Sequence, residues 1–287
     1  MNLYRRMVLV VALVMVACVF LLPAAPAEEQ DGVSALFINV GKADAALFFL
    51  NGQRFLIDTG TKGSFDALER ALEIYQVERL DGVLITHTDK DHVGGLKKLL
   101  KSGVEVSMLY AGSLHSEPSD EEHPVYEASE KYGVPMTWLE AGEKIDLGGG
   151  CAFQVLGPLT RDAEKENNNS LVLDLQTPEG NMLLTGDMEL QEEGELLERG
   201  LIPAAAVLKV PHHGEDDATS KAFVLKVKPQ WAVISTSTAE EPDTPDSKIM
   251  SRLWEVQAGV AVTQSAEVGI LVTLKSGMAS AEQIDLK

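Results

Sequence analysis

Short apolar runs separated by turn residues fill the chain after its first 32 residues. The runs at Val33–Ile38, Ala45–Leu50 and Arg54–Ile57 have the length of buried strands, and Asn51-Gly52 between the last two is typical of a hairpin turn. From Phe65 to Tyr75, apolar residues recur at helical spacing. The pattern therefore predicts strands first and a helix after them.

The same order of strands and helices repeats along the rest of the chain. We predict strands over 80–85, 104–109, 136–139, 151–156, 170–175, 182–185, 204–210 and 231–235, helices over 93–100, 126–132, 188–199, 221–227 and 247–256, and a last hairpin around 260–274. Because strands precede helices in both halves, we predict one α+β domain in which two sheets lie between layers of helices.

Residues 1–27 have the pattern of a secretory signal peptide. Two arginines precede a sixteen-residue apolar run from Met7 to Leu22, and Ala25-x-Ala27 follows. The run is shorter than the roughly 20 residues of a spanning helix. An uncleaved anchor and a lipoprotein at Cys18 are the weaker alternatives. We predict cleavage after Ala27, an exported protein (extracellular, periplasmic or envelope-associated) without a stable membrane span, and a single domain over residues 28–287.

The charge balance bears on the partners of the protein. The chain has 24 basic and 44 acidic residues and a net charge of −20, which becomes −22 when Arg5 and Arg6 leave with the signal. Because binding to a phosphate backbone depends on clustered Lys and Arg, this charge disfavours nucleic acid without excluding a local basic patch. Cleavage also leaves Cys151 as the only cysteine, and its apolar neighbours predict a buried thiol.

The segment Thr86–Gly95 carries the densest chemistry. His87, Asp89, Asp91 and His92 lie within six positions, directly after an apolar strand. Imidazole nitrogens and carboxylate oxygens together suit zinc or manganese. The alternative is a polar turn whose charges are solvated, but the density of these residues favours a metal site.

Three other predicted strands end in similar residues. Asp58 precedes Thr-Gly, Asp187 ends Leu-Thr-Gly-Asp, and His212-His213 follows Lys209-Val-Pro. Each alone is compatible with simple turn chemistry. Adjacent histidines point apart, so one of the pair is expected to bind metal and the other to orient it or contact substrate.

Taken in order, these motifs resemble the metallo-β-lactamase superfamily. The series Asp-Thr-Gly, Thr-His-x-Asp-x-Asp-His-x-Gly-Gly, Asn-Asn-x-Ser-Leu-Val-Leu, Leu-Thr-Gly-Asp and Pro-His-His-Gly is similar to the hydrolase domain of ComEC-type DNA-uptake proteins and its free-standing relatives. The resemblance extends from Val33 to Leu274. It implies an αββα sandwich with a metal centre along one edge of the two sheets.

The resemblance also implies a ligand set for two divalent ions. The first ion would be bound by His87 and Asp89, the second by Asp91, His92 and His212, and both by the bridging Asp187. Asn168 lies near the place of a third first-site histidine in other branches, so the first site is expected to be the weaker. Residues expected to support the ligands or contact substrate are Asp44, Asp58, Asn168 and His213.

The implied chemistry is hydrolysis. A water held between two divalent ions has its pKa lowered towards ~7, and the hydroxide formed attacks phosphorus or a carbonyl carbon. Asp91 and Asp187 are the residues expected to serve catalysis directly. We predict an exported phosphodiesterase acting on a small-molecule or envelope phosphoester. The alternatives are a nuclease and a metal-binding module without turnover. A β-lactamase is disfavoured because Asp89 replaces histidine and Asp187 replaces cysteine.

The chain departs from the ComEC-type pattern at two places. It reads Asn39-Val-Gly-Lys-Ala-Asp44 where the pattern has Asp-Val-Gly-Gln-Gly-Asp, and Thr244 stands where a histidine is usual. Both positions are expected to affect contacts with the substrate or leaving group. His115 and His123, in an acidic segment, are expected to be solvated, with the segment as a possible rim over the site.

Overall fold

The computed structural model of the protein describes residues 33–286, so the predicted signal peptide and its cleavage point lie outside the described residues. The first sheet has the strand order β17-β16-β1-β2-β3-β5-β7-β8. Its strands are β1 (Val33–Ile38), β2 (Ala46–Leu50), β3 (Gln53–Ile57), β5 (Gly82–Ile85), β7 (Leu109–Gly112), β8 (Met136–Leu139), β16 (Gly269–Lys275) and β17 (Met278–Ile284).

The second sheet has the order β15-β14-β13-β12-β11-β10-β9. Its strands are β9 (Lys144–Asp146), β10 (Ala152–Gly157), β11 (Val172–Thr177), β12 (Gly180–Leu184), β13 (Val207–Lys209), β14 (Trp231–Ile234) and β15 (Gly259–Val262). A separate parallel pair consists of β4 (Arg79–Leu80) and β6 (Glu105–Val106).

Aromatic residues from both sheets form the centre of the core between them. Phe153 of the second sheet packs edge-on against Phe48 and Phe55 of the first, with ring centroids 5.9 and 5.7 Å apart. Cys151 belongs to the same core, and burial raises the pKa of its thiol, as expected for an unreactive buried cysteine. The two sheets are therefore held face to face by apolar burial.

Helices cover the outer faces of both sheets. Those packed on the first sheet are α1 (Phe65–Ile74), α3 (Leu96–Leu99) and α4 (Pro124–Tyr132), with the single turn α2 (Lys90–Val93) leading into α3. Those on the second are α5 (Leu190–Glu198), α6 (Lys221–Val227) and α7 (Ser247–Glu255). The predicted α+β fold, an αββα sandwich, is confirmed.

Several predicted elements differ in the structure, and the predicted strands over 80–85 and 104–109 are each divided, between β4 and β5 and between β6 and β7. The segment 260–274 is not a hairpin, because β15 pairs parallel to β14 in the second sheet whereas β16 pairs with β1 in the first. The hairpin is instead formed by β16 and β17.

The predicted helix over 93–100 is interrupted at Gly94-Gly95, where a Cβ on Gly95 would lie 2.2 Å from the carbonyl oxygen of Thr59. The predicted Asn51-Gly52 turn is confirmed, with Leu50 paired to Gln53.

The candidate residues collect at one edge of the sandwich. In the first sheet β3 and β5 run parallel, and in the second sheet β12 and β13 do. Asp58, the His87 motif, Asp187 and the histidine pair follow the carboxyl ends of these four strands. A hydrogen bond from Leu171 N to Thr86 O, 2.9 Å long, joins the two sheets at this edge. Within residues 33–286, no helix has the length and apolar character needed to cross a bilayer.

Candidate metal centre

Four side chains from the two sheets converge at this edge. Asp91, His92, Asp187 and His213 each place a ligand atom within 4.8 Å of the others. Nε2 of His92 and Nε2 of His213 lie 3.1 and 3.2 Å from Oδ2 of Asp187, and His213 Nε2 lies 3.3 Å from Oδ2 of Asp91. Two imidazoles and two carboxylates are a donor set that suits a borderline divalent ion.

The burial of these atoms also fits a metal ion. His92 and His213 are fully buried and Asp187 is 2% exposed. Nε2 of both rings and Oδ1 of Asp187 lack a hydrogen-bond partner in the described part of the chain. Buried polar atoms without partners are costly, and a cation between them would satisfy all three.

The charges of the cluster stabilise one another. Burial alone would raise the pKa of Asp187, but His213 and His92 outweigh it, so the carboxyl pKa lies well below its ordinary value. Burial likewise opposes protonation of His213, yet Asp187 and Asp91 raise the pKa of its imidazole to about 9. The carboxylates are therefore ionised at neutral pH and strongly attract positive charge.

His213 occupies the place that the resemblance assigns to His212. After Pro211, both histidines have left-handed backbone conformations, with φ of 45° and 51°, and this sharp turn sends the two side chains in different directions. Nδ1 of His213 donates to the carbonyl of Ser235 at 2.8 Å, so Nε2, which faces the carboxylates, carries the lone pair when the ring is neutral. The structure thus brings His213 into the cluster and leaves the predicted ligand His212 outside it.

His212 lies in a second polar group beside the cluster. Its Nδ1 is 2.8 Å from Oδ1 of Asp217, and its Nε2 is 3.2 Å from Nδ2 of Asn167. Burial opposes protonation, but the hydrogen bond with Asp217 and the charge of Asp187 raise the pKa of the His212 imidazole. Glu189 completes a group whose ligand atoms are also within 4.8 Å. Both ring nitrogens of His212 are already engaged by protein atoms.

Asp58 fixes the orientation of a cluster histidine. Its Oδ1 accepts the backbone N–H of Thr86, and its Oδ2 accepts from Nδ1 of His92, each at 2.8 Å. Because His92 Nδ1 carries a proton, its Nε2 presents a lone pair to the cluster when the ring is neutral. Asp58 therefore lies where a supporting residue is expected.

Thr86 connects Asp58 to the second histidine of the motif, a role that the sequence did not indicate. Its hydroxyl donates to Asp58 Oδ2 at 2.8 Å and lies 3.1 Å from Nδ1 of His87. Since the hydroxyl proton goes to the carboxylate, His87 Nδ1–H donates to Thr86 and its Nε2 is left free. Burial and the neighbouring His92 lower the pKa of His87 to about 4, which keeps the ring neutral and able to bind metal.

The predicted first site is less complete than the second. Nε2 of His87 lies 3.8 Å from Oδ2 of Asp89, whose side chain is 50% exposed. Within residues 33–286 this pair does not join a group of three clustered ligands. Asn168 does not complete the site: its amide donates to Asp162 at 3.0 Å and accepts from Glu192 N at 3.5 Å. The Asn168 side chain is therefore engaged by Asp162 and Glu192.

A buried lysine borders the cluster and was not among the predicted residues. Nζ of Lys209 forms an ion pair with Asp44, lies 3.9 Å from Oδ1 of Asp187 and donates to the carbonyl of Gly186 at 3.3 Å. Asp44 is also 3.9 Å from Nδ1 of His92. The only sequence signal for this role is a lysine within an apolar strand. The pair Asp44–Lys209 joins the β1–β2 loop to the end of β13.

Asn39 and Thr244, the two residues that depart from the ComEC-type pattern, both make hydrogen bonds within the fold. The amide of Asn39 donates to the carbonyl of Ala266 at 2.8 Å, which an aspartate cannot do. Thr244 is 2% exposed, and its hydroxyl donates to the carbonyl of Glu241 and lies 2.5 Å from the hydroxyl of Thr236. These contacts anchor the loops that carry the two residues.

The expectation that His115 and His123 are solvated is wrong. Both are buried, at 7% and 2% exposure, and both pack against the indole of Trp138. Burial and the neighbouring His115 lower the pKa of His123 to about 4, so the ring is neutral. Glu166 attaches this segment to the metal motif, accepting from Ser116 N at 2.7 Å and Thr88 N at 3.1 Å. The acidic segment is therefore fixed beside the predicted first site.

An αββα sandwich with a His/Asp cluster joining its two sheets is the arrangement of a metal-dependent hydrolase. The chain belongs to the metallo-β-lactamase superfamily, whose profile matches residues 38–237. Among solved structures, the metallo-beta-lactamase fold protein YhfI from Bacillus subtilis superposes with a TM-score of 0.56 at 11% identity, covering 88% of this chain and 100% of that one. This likeness shows the shared fold.

Two curated relatives bear out the more specific resemblance. ComE operon protein 3 of Bacillus subtilis (strain 168) is 30% identical over 252 residues, covering 82% of this chain and 32% of that protein. Recombination protein 2 of Haemophilus influenzae is 30% identical over 231 residues, covering 79% of this chain and 27% of that protein. The predicted similarity to ComEC-type hydrolase domains is confirmed, and the chain matches about a third or less of each relative's length.

Proposed function

We propose that the protein is an exported metal-dependent phosphodiesterase using two divalent ions, zinc or manganese. The observation that carries the proposal is the convergence of Asp91, His92, Asp187 and His213 on one point, three of them buried. Membership of the metallo-β-lactamase superfamily supports the broader class of metal-dependent hydrolase. Export rests on residues 1–27 alone, and fractionation of cells producing the full chain tests it.

In this proposal His213 replaces His212 as a metal ligand, while His87 and Asp89 hold a weaker first ion. Divalent ions supply Lewis acidity there, lowering the pKa of water and stabilising charge on phosphoryl oxygens. Asp187, whose carboxylate lies 3.1 and 3.2 Å from the two cluster histidines, would contribute to holding both ions. Asp58 keeps His92 in the tautomer that presents Nε2 to a metal ion.

The substrate class follows from the donor set and the charge of the chain. A carboxylate-rich site suits oxygen-rich phosphoryl transfer, and a net charge of −20 disfavours a long polyanion. We therefore propose a small-molecule or envelope phosphodiester as the substrate. A nuclease is the alternative that the resemblance to ComEC-type hydrolase domains implies, and a metal-binding docking module is the alternative without turnover.

Metal analysis and one chromogenic assay distinguish these functions. We expect the purified protein to bind zinc or manganese and to hydrolyse bis(p-nitrophenyl) phosphate when either ion is supplied. Stoichiometric metal without turnover of several ester types would contradict the enzyme and favour the docking module. Faster cleavage of a DNA oligonucleotide than of small diesters would favour the nuclease.

An Asp187→Asn variant tests the proposed centre. Because Asp187 contacts both His92 and His213, we expect the variant to lose metal affinity and kcat/KM by about 100-fold or more, above the usual effect of an outer residue. Asp66→Asn is the matched control, because its side chain is 86% exposed on α1. Parental activity in Asp187→Asn would contradict the assignment.

A further inference from the structure

Lys42 places a positive charge in a loop beside the metal motif. It lies in the loop between β1 and β2, two residues before Asp44, whose backbone N–H donates to the carbonyl of Asp91 at 3.1 Å. The backbone N–H of Lys42 donates to Oε2 of Glu240 at 3.1 Å. These two bonds fix the loop that carries Lys42 against the metal motif.

The head group of Lys42 is held from the opposite sheet. Nζ lies 2.5 Å from Oε1 of Glu215, which is itself 3.8 Å from Nε2 of His212. The side chains of Lys42 and Glu215 are 22% and 30% exposed. Glu215, two residues after His213, thus positions the ammonium of Lys42. The ammonium remains partly exposed, so a ligand can reach it.

Two other lysines near the centre, Lys209 and Lys165, do not fill this role. Lys209 is buried against Asp44, at 7% side-chain exposure. Lys165 pairs with Glu189, and the acids that act on it are Glu189, Asp217 and Asp162. Burial opposes the charge of Lys42, but Glu215, Asp91 and Asp187 together raise its pKa. Lys42 is therefore a partly exposed lysine on which carboxylates of the cluster act.

We propose that Lys42 binds a non-bridging phosphoryl oxygen of the substrate and so selects anionic phosphoesters. The inference rests on the proposed function for the identity of the substrate. A lysine ammonium offers three donors on a flexible stem, so it can contact a phosphate while remaining near Glu215. A fixed cation here also offsets the repulsion between an anionic ester and the surrounding carboxylates.

The test compares Lys42→Gln with Lys42→Arg. Glutamine keeps a polar side chain and is the residue of the ComEC-type pattern at this position, whereas arginine keeps the charge. The matched control is Lys97→Gln, which removes an exposed lysine paired with Glu127. Binding of inorganic phosphate is measured calorimetrically on the metal-loaded and the as-purified proteins. Metal content is measured in parallel.

We expect Lys42→Gln to weaken phosphate binding about tenfold or more, the usual effect of losing one charge-assisted hydrogen bond. Its KM for bis(p-nitrophenyl) phosphate should rise similarly at unchanged metal content, and Lys42→Arg should recover most of both losses. Undetectable phosphate binding by the parent, or equal binding by Lys42→Gln, would overturn the inference. Phosphate binding that depends on Lys42 without ester hydrolysis would overturn the proposed function and leave this site standing.

Discussion

Asp58 is the residue whose replacement should separate metal binding from folding. Its left-handed φ of 59° is a conformation that asparagine tolerates well. In Asp58→Asn the amide no longer offers two acceptor oxygens to Thr86 and His92 Nδ1. We expect metal affinity to fall about 10–100-fold, as is typical when the partner of a ligand histidine is lost.

A competition titration with a chromogenic chelator measures this effect. Asp66→Asn serves as the control, because it makes the same chemical change on the exposed face of α1. Circular dichroism should show the same secondary structure in both variants. Parental metal affinity in a folded Asp58→Asn protein would show that Asp58 does not orient His92.

The sequence did not indicate that His213, and not His212, joins the cluster. The sequence indicates that one of two adjacent histidines faces the centre, because neighbouring side chains point apart. Which one does so depends on the backbone after Pro211, where both histidines have positive φ. That conformation is rare for residues other than glycine, and here it accompanies the bonds of His212 to Asp217 and of His213 to Ser235. Local sequence contains little information about it.

Helix α5 contains a buried acid that the proposed chemistry does not use. Glu192 is 3% exposed, and neither carboxyl oxygen has a hydrogen-bond partner among the described residues. Burial, assisted by the charge of Glu195, raises the pKa of Glu192 well above its ordinary value of 4.5. The folded protein therefore holds this carboxyl protonated at a pH at which the unfolded chain ionises it.

Glu192→Met should accordingly stabilise the protein. The stability associated with the raised pKa is fully present below about pH 4.5 and is lost as pH rises towards the folded-state value, by up to about 1.4 kcal/mol per unit of pKa difference. Methionine fills a similar volume without this loss. We expect the free energy of unfolding to increase by about 1–3 kcal/mol at pH 8 and by less at pH 5.

Urea unfolding at the two pH values measures the difference. Glu198→Met is the control, because Glu198 is exposed at the end of the same helix. A gain that is equal at both pH values would indicate simple packing instead of relief of a buried acid. A destabilised Glu192→Met protein would show that the Glu192 carboxyl makes a stabilising interaction in the folded protein.

At the level of elements, the sequence predicts strands and helices better than their pairing. Apolar runs mark β1 and β2 because these strands are buried almost throughout. The error at 260–274 arises because β15 and β16 are consecutive in the chain but belong to different sheets. Apolar periodicity reports burial and carries no information about which sheet a strand joins.

For the whole molecule, the fold was predictable and the details of the site only in part. Four strand ends with His or Asp, in a specific order, indicate both the sandwich and a metal centre. Burial of His115 and His123 was not predictable, because it depends on the distant Trp138 and on the attachment of their segment by Glu166. Long-range packing of this kind leaves no local pattern.

The position of the centre couples metal binding to the stability of the whole fold. Asp91 and His92 follow strand β5 of the first sheet, whereas Asp187 and His213 follow strands β12 and β13 of the second. The complete site therefore exists only when the two sheets are packed together. An ion that binds the folded protein and not the unfolded chain stabilises it by about 2.7 kcal/mol at a free concentration 100 times Kd. We expect zinc or manganese to raise the urea midpoint of the parent and of Asp66→Asn without changing the m-value, and to have little effect on Asp187→Asn. Equal midpoints with and without metal in the parent would mean that the four side chains do not form a binding site across the sheets.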